Sequence, residues 1–131
     1  SSLQWTAGEG EEPGVAKLSA SGPQYFPTRT DVAGSGEMCG ILAVVSNPFS
    51  DAPGKHRIVL LSGFSGVATN AIAKFLTHDD YLAEFGKFDR EYVNVETNVE
   101  VLISVTFRGA SHAHGDRRDI TGVAYRGLVE V

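Results

Sequence analysis

The sequence predicts a single α/β or α+β domain on a mixed sheet of about five strands, with one main helix and one short helix. Residues 58–61, Ile-Val-Leu-Leu, are apolar at every position, the pattern of a strand covered on both faces. After Gly63-Phe64-Ser65-Gly66, the residues Val67, Ala68, Ala71, Ile72, Phe75 and Leu76 recur at spacings of three and four. That periodicity gathers them on one side of a helix. Farther on, Val99, Val101, Ile103, Val105 and Phe107 alternate, so an extended chain presents them all to one face.

Residues 1–37 are rich in Gly, Ser, Pro and Glu and predict an arm or loop segment with short strands. Trp5, Val15, Leu18, Tyr25 and Phe26 are its candidate anchors onto an α/β domain formed by residues 38–131. Pro23 and Pro27 confine residues 24–26 to an edge or extended segment. Residues 38–45 read as the first firm strand, ended by a loop over 46–54 that contains Pro48 and Pro53. That loop, roughly ten residues, is too irregular for a crossover helix, so the flanking strands are expected to be antiparallel or non-adjacent. The main helix ends near His78. Thr77 and Asp80 resemble the cap of a short helix over residues 79–85, with Gly86 as its stop. A polar loop over 109–119 precedes a last strand over 120–131, interrupted at Gly122 and Gly127.

With 131 residues and 42% hydrophobic content, the chain can build one real core. Its net charge of −5 and scattered cations argue against recruitment of nucleic acid or anionic membrane, which needs clustered Lys and Arg. Arg117-Arg118 is the one adjacent basic pair. A single cysteine, Cys39, cannot form an intrachain disulfide; as a small buried apolar filler it suits a reducing, cytoplasmic compartment. Neither a long apolar span nor a basic-then-apolar leader is seen, so no membrane association is expected.

The turn over residues 63–70 is the leading site candidate. A glycine turn between strand and helix aims backbone N–H groups from the positive end of the helix dipole, and the Ser65 and Thr69 hydroxyls could assist them. It is neither a P-loop nor a complete dinucleotide fingerprint, and a tight packing turn would use the same glycines. Gly63-Phe64-Ser65-Gly66-Val67 also approaches a nucleophile elbow, with His112, His114, Asp116 and Asp119 following. Its final glycine is replaced by Val67, and the chain is short for such a hydrolase. His112, His114 and Asp116 superficially suggest a metal trio, but their Gly/Ser-flanked polar setting favours a solvated connection. No cofactor is expected. Glu91, Glu96 and Glu100 read as a solvated face.

Residues 38–107, about half the chain, carry Cys39-Gly40-Ile41, Asn47-Pro48-Phe49, Ser62-Gly63, Gly66 with Thr69, Ala68, Ala71 and Ala73, then Phe75-Leu76-Thr77. This succession resembles a family of bacterial Rossmann-like α/β domains found in multidomain signalling and conflict or defence proteins. The Asn-Pro-Phe element is its most specific part. The resemblance implies a sensor or regulatory module rather than a catalyst. The expected site then comprises Asn47, Gly63, Phe64, Ser65, Gly66, Thr69 and Asn70, holding a small anionic ligand such as a nucleotide, with Asn47 and the Pro48-Phe49 loop as a wall. The alternative from a different class is a self-assembly or partner-binding module using exposed strand edges.

Overall fold

The computed structural model describes residues 3–6, 14–19, 22–30, 35–51, 56–95, 98–109, 111–112, 115–116 and 118–131. In chain order the elements are β1 (Gln4–Thr6), β2 (Gly14–Ser19), β3 (Gly22–Pro27), β4 (Arg29–Thr30), β5 (Gly36–Ser46) and β6 (Arg57–Gly63). There follow α1 (Gly66–Thr77), a 3-10 turn (Asp79–Tyr81), α2 (Leu82–Tyr92), β7 (Val99–Arg108), β8 (Ser111–His112), β9 (Gly115–Asp116) and β10 (Asp119–Glu130).

The main sheet has the order β10-β7-β5, with β4 and β6 sharing the far edge of β5. Every pairing among the described strands is antiparallel, which corrects the expected mixed sheet to an antiparallel one in an α+β fold. The reason lies in the crossover. Strands β6 and β7 both oppose β5 and therefore run parallel to each other, but β5 lies between them. The helical connection thus spans an intervening strand, a split β-α-β arrangement with no adjacent parallel pair. The short irregular loop between β5 and β6 makes an antiparallel hairpin, as its length predicts.

The alternation in β7 is realised: Val99, Val101, Ile103, Val105 and Phe107 are buried against Val67, Ala68, Ala71, Ile72 and Phe75 of α1. Gly40 lies beneath this helix, where a Cβ would collide with the Ile72 side chain. Helix α2 closes the layer through rings. Phe75 meets Phe85 and Phe88 at centroid distances of 5.7 and 6.1 Å, and Phe88 continues to Tyr92 at 5.2 Å and Tyr125 at 6.0 Å.

Gly86 does not stop the second helix, which continues to Tyr92. A glycine ends a helix by adopting positive φ, and among the described residues only Gly109 and Gly127 do so. Phe85, Phe88 and Tyr92 carry the apolar stripe past Gly86 and hold it helical by packing. The cap is His78, whose Nδ1 faces the Asp80 N–H, while the Thr77 hydroxyl donates back to the Ala73 carbonyl at 2.8 Å. Nor do Gly122 and Gly127 break the last strand. They follow register shifts after Ile120 and Tyr125, so the strand bulges and continues.

On the other face of the sheet, Leu3, Cys39 and Leu102 are buried together, flanked by Phe26, Ile41 and Val129. The N-terminal segment supplies a meander in which Trp5 pairs with Val15 and Val15 with Phe26. Glu100 accepts the Leu3 N–H at 2.8 Å, which ties the segment down. No helix of the described residues is long and apolar enough to cross a membrane.

Candidate functional site

The turn between β6 and α1 is built by close approach. A Cβ on Gly63 would collide with the Thr69 backbone nitrogen and lie 2.7 Å from both the Ala68 carbonyl carbon and Thr69 Oγ1. The Gly63 N–H donates to Thr69 Oγ1 at 3.1 Å, and that hydroxyl donates to the Ser65 carbonyl at 3.2 Å. The Phe64 N–H donates to the Cys39 carbonyl at 3.1 Å. Gly63 and Thr69 therefore staple strand to helix, and the Thr69 hydroxyl is already engaged. Gly66 differs: a Cβ there would meet nothing within 4 Å.

Ser65 is the N-cap in extended backbone, φ −144° and ψ 176°, but its side chain does not cap the helix. Its hydroxyl faces Met38 Sδ at 3.1 Å and accepts from Arg118 Nη2 at 3.4 Å. The first amide to enter the helical ladder is Thr69, bonded to the Ser65 carbonyl at 3.0 Å. The N–H groups of Gly66, Val67 and Ala68 precede that ladder, at the positive end of the dipole. Arg118 adds a full charge, seated 4.8 Å over the Phe107 ring. Phe64, the chain neighbour of Ser65, forms a tilted aromatic pair with Trp5 at 6.1 Å, 45% and 42% exposed.

The structure thus gathers Gly63, Phe64, Ser65, Gly66 and Thr69, with exposed Asn70 starting the second turn of α1. Asn47 is not among them. It lies past the Ser46–Arg57 end of the hairpin, whereas the turn begins at the Gly40–Gly63 end. Six ladder steps separate these ends, a span of roughly 20 Å. Asn47 instead shapes its own loop, accepting the Phe49 N–H at 2.9 Å on Oδ1. The wall expected from Asn47 and the Pro48-Phe49 loop is therefore absent from the turn. The Arg118–Ser65 and Trp5–Phe64 contacts were not foreseen, because nothing in local spacing announces contacts across the fold.

The hydrolase reading finds little support. Ser65 has unstrained extended backbone, unlike the serine of a nucleophile elbow. His56 bonds Ser50 in the distant hairpin loop, and His78 caps the turn beyond the far end of α1. His114 lies outside the described residues. His112 and Asp116 are described by backbone alone, on opposite strands of the β8–β9 hairpin.

A concavity of about 340 Å³ lies between α2 and β10 and is lined by Lys87, Arg90, Glu91, Tyr125, Arg126 and Gly127. The Tyr125 hydroxyl donates to Glu91 at 2.7 Å and its N–H to Glu84 at 2.9 Å. Glu91 and Glu100 are thus structural acceptors, not merely a solvated face. Burial, then the Glu91 carboxylate, push the Tyr125 phenol upward, so it stays protonated at neutral pH. Burial opposes ionisation of Glu84, but Lys87 at 2.6 Å and the Tyr125 N–H outweigh it and hold this carboxyl low.

Burial, reinforced by Glu37, pushes the Cys39 thiol up to about 11. Its Sγ faces the Phe26 carbonyl at 3.5 Å, so the thiol is held protonated and unreactive. The unfolded chain ionises first, near the ordinary thiol value of 9.0. This contribution to stability is therefore complete below pH 9 and lost between about pH 9 and 11. Urea midpoints at pH 8 and pH 10 should show that fall, reduced in Cys39→Ala. An equal fall in both would assign it elsewhere.

Comparisons of the chain with protein-family models, curated proteins and solved structures return no match.

Proposed function

We propose that this chain is a sensory or regulatory domain that binds a small phosphate-bearing ligand, a nucleotide in the first instance, at the N-terminus of α1. The observation that supports this reading most is Arg118, which reaches the Ser65 hydroxyl at the end of a helix whose first amides lie outside its ladder. Dipole and guanidinium act in the same sense there, and both favour an anion. The half-exposed Trp5–Phe64 pair offers an aromatic surface on which a base could stack. The binding set becomes Phe64, Ser65, Gly66, Asn70, Arg118 and Trp5, with Gly63 and Thr69 as its scaffold. The resemblance to signalling and defence domains agrees with recognition rather than turnover.

The test is a thermal-shift screen with inorganic phosphate and with mono-, cyclic and dinucleotides, followed by calorimetric titration. A ligand that binds only the folded state at about 100 times its Kd adds roughly 2.7 kcal/mol of stability, several degrees in Tm. Arg118→Ala should weaken binding about tenfold or more, the scale of a lost charge-assisted hydrogen bond. Gly66→Trp, entering open space, should block the site while leaving the fold intact. Absence of any shift in the folded parent, or full affinity in both variants, would remove this site.

A further inference from the structure

We propose that β6 is the contact strand of a homodimer, pairing antiparallel with the β6 of a second copy across a two-fold axis at Leu60. The two edges of the main sheet differ sharply. Strand β10 carries two register shifts, the charged residues Asp119, Arg126 and Glu130, and a Glu84 carboxylate on the Tyr125 N–H. These are devices that deter a further strand. Strand β6 has none between Ile58 and Gly63: no proline, charge or bulge. Among the described residues it pairs with β5 alone.

Residues 58–61 carry the apolar pattern of a strand covered on both faces, yet Val59 is 50% and Leu60 54% exposed. That departs from the burial expected for this segment. A second copy of the strand would cover what the isolated chain leaves bare.

The register follows from the backbone. The Phe64 N–H donates to the Cys39 carbonyl and the Asn47 N–H to the His56 carbonyl, so the even-numbered residues of β6 direct their amides and carbonyls to β5. Val59, Leu61 and Gly63 direct theirs outward. The Gly63 N–H is already taken by Thr69 Oγ1, which leaves Val59 and Leu61 as the positions open, among the described residues, with both donor and acceptor. A two-fold at Leu60 sets Val59 against Leu61 of the other copy, and each pair exchanges N–H and C=O groups. Leu60 then stands opposite its own copy at a close, non-hydrogen-bonded position. Arg57, the sole charge of β6, falls opposite Gly63, so no like charges meet. A second copy is the occupant that meets this edge without opposing like charges and covers its exposed Val59 and Leu60; the two-fold also keeps the helices of both copies on one face of a continuous sheet.

Sedimentation of the full chain over a concentration series tests the proposal, with Leu60→Lys and Leu60→Cys as variants. The parent should dimerise at micromolar concentration. Leu60→Lys, a change at an exposed position, should weaken dimerisation by roughly 100-fold or more with an unchanged circular dichroism spectrum, because like charges then meet at the axis. Leu60→Cys should oxidise to a covalent dimer faster than Ser62→Cys, since Cβ atoms at such a pair lie about 4.5–5.5 Å apart. Native Cys39 is buried and should not compete. A parent that stays monomeric to about 100 μM, a dimer indifferent to Leu60→Lys, or equal oxidation of both cysteine variants would each overturn it. None of these readouts depends on ligand binding at α1.

Discussion

Phe75→Ala is expected to remove about 3–5 kcal/mol of unfolding free energy, the range for truncating a buried aromatic side chain. Phe75 is 1% exposed and stands where α1, α2 and the sheet converge. Its ring contacts Phe85 at 5.7 Å and Phe88 at 6.1 Å, and Phe88 passes the packing on to Tyr92 and Tyr125. Truncation removes apolar area and opens a cavity among rings fixed by two helices and a strand, which collapse poorly. Urea unfolding monitored by circular dichroism measures the loss. A cost under about 1.5 kcal/mol would mean that α2 moves inward to fill the space, and that the aromatic cluster is not the lock between the helices.

The second large effect separates two glycines of one turn. Gly63→Ala should cost about 2–3 kcal/mol, because its methyl group meets the Thr69 nitrogen and the Ala68 carbonyl carbon, backbone atoms of α1 that cannot turn aside. Gly66→Ala should stabilise by roughly 0.5–1 kcal/mol, because the position is helical, sterically open and gains helix propensity. Paired denaturation curves decide it. Equal costs would show that both glycines are required by backbone conformation, and would weaken Gly66→Trp as a folded probe of ligand binding. The expected asymmetry assigns packing to Gly63 and leaves Gly66 free to face a ligand.

The elements legible beforehand were those whose signal repeats within one segment. Alternation in residues 99–107 predicts the buried face of β7, and the spacing of Val67, Ala68, Ala71, Ile72 and Phe75 predicts the buried face of α1. Both patterns are periodic consequences of backbone geometry and need no knowledge of neighbours. The turn at 63–66 was legible for the same reason, as a break between two such patterns.

Other features depend on which segments meet. The reading of Gly86 as a stop fails because Phe85, Phe88 and Tyr92 have a partner layer to bury against, and packing outweighs a glycine's weak helix propensity. The apolar run at residues 58–61 predicts coverage, but its place at the sheet edge follows from strand order, which no single segment encodes. Asn47 and Ser65 are separated in sequence by a single strand, yet that strand's length holds them at opposite ends. Conversely, Arg118 and Ser65 lie 53 positions apart and are brought to 3.4 Å by the antiparallel order of the sheet. Local periodicity thus determined what each segment is and which face it buries, while tertiary pairing alone decided which ends and edges meet, and with them the composition of the site.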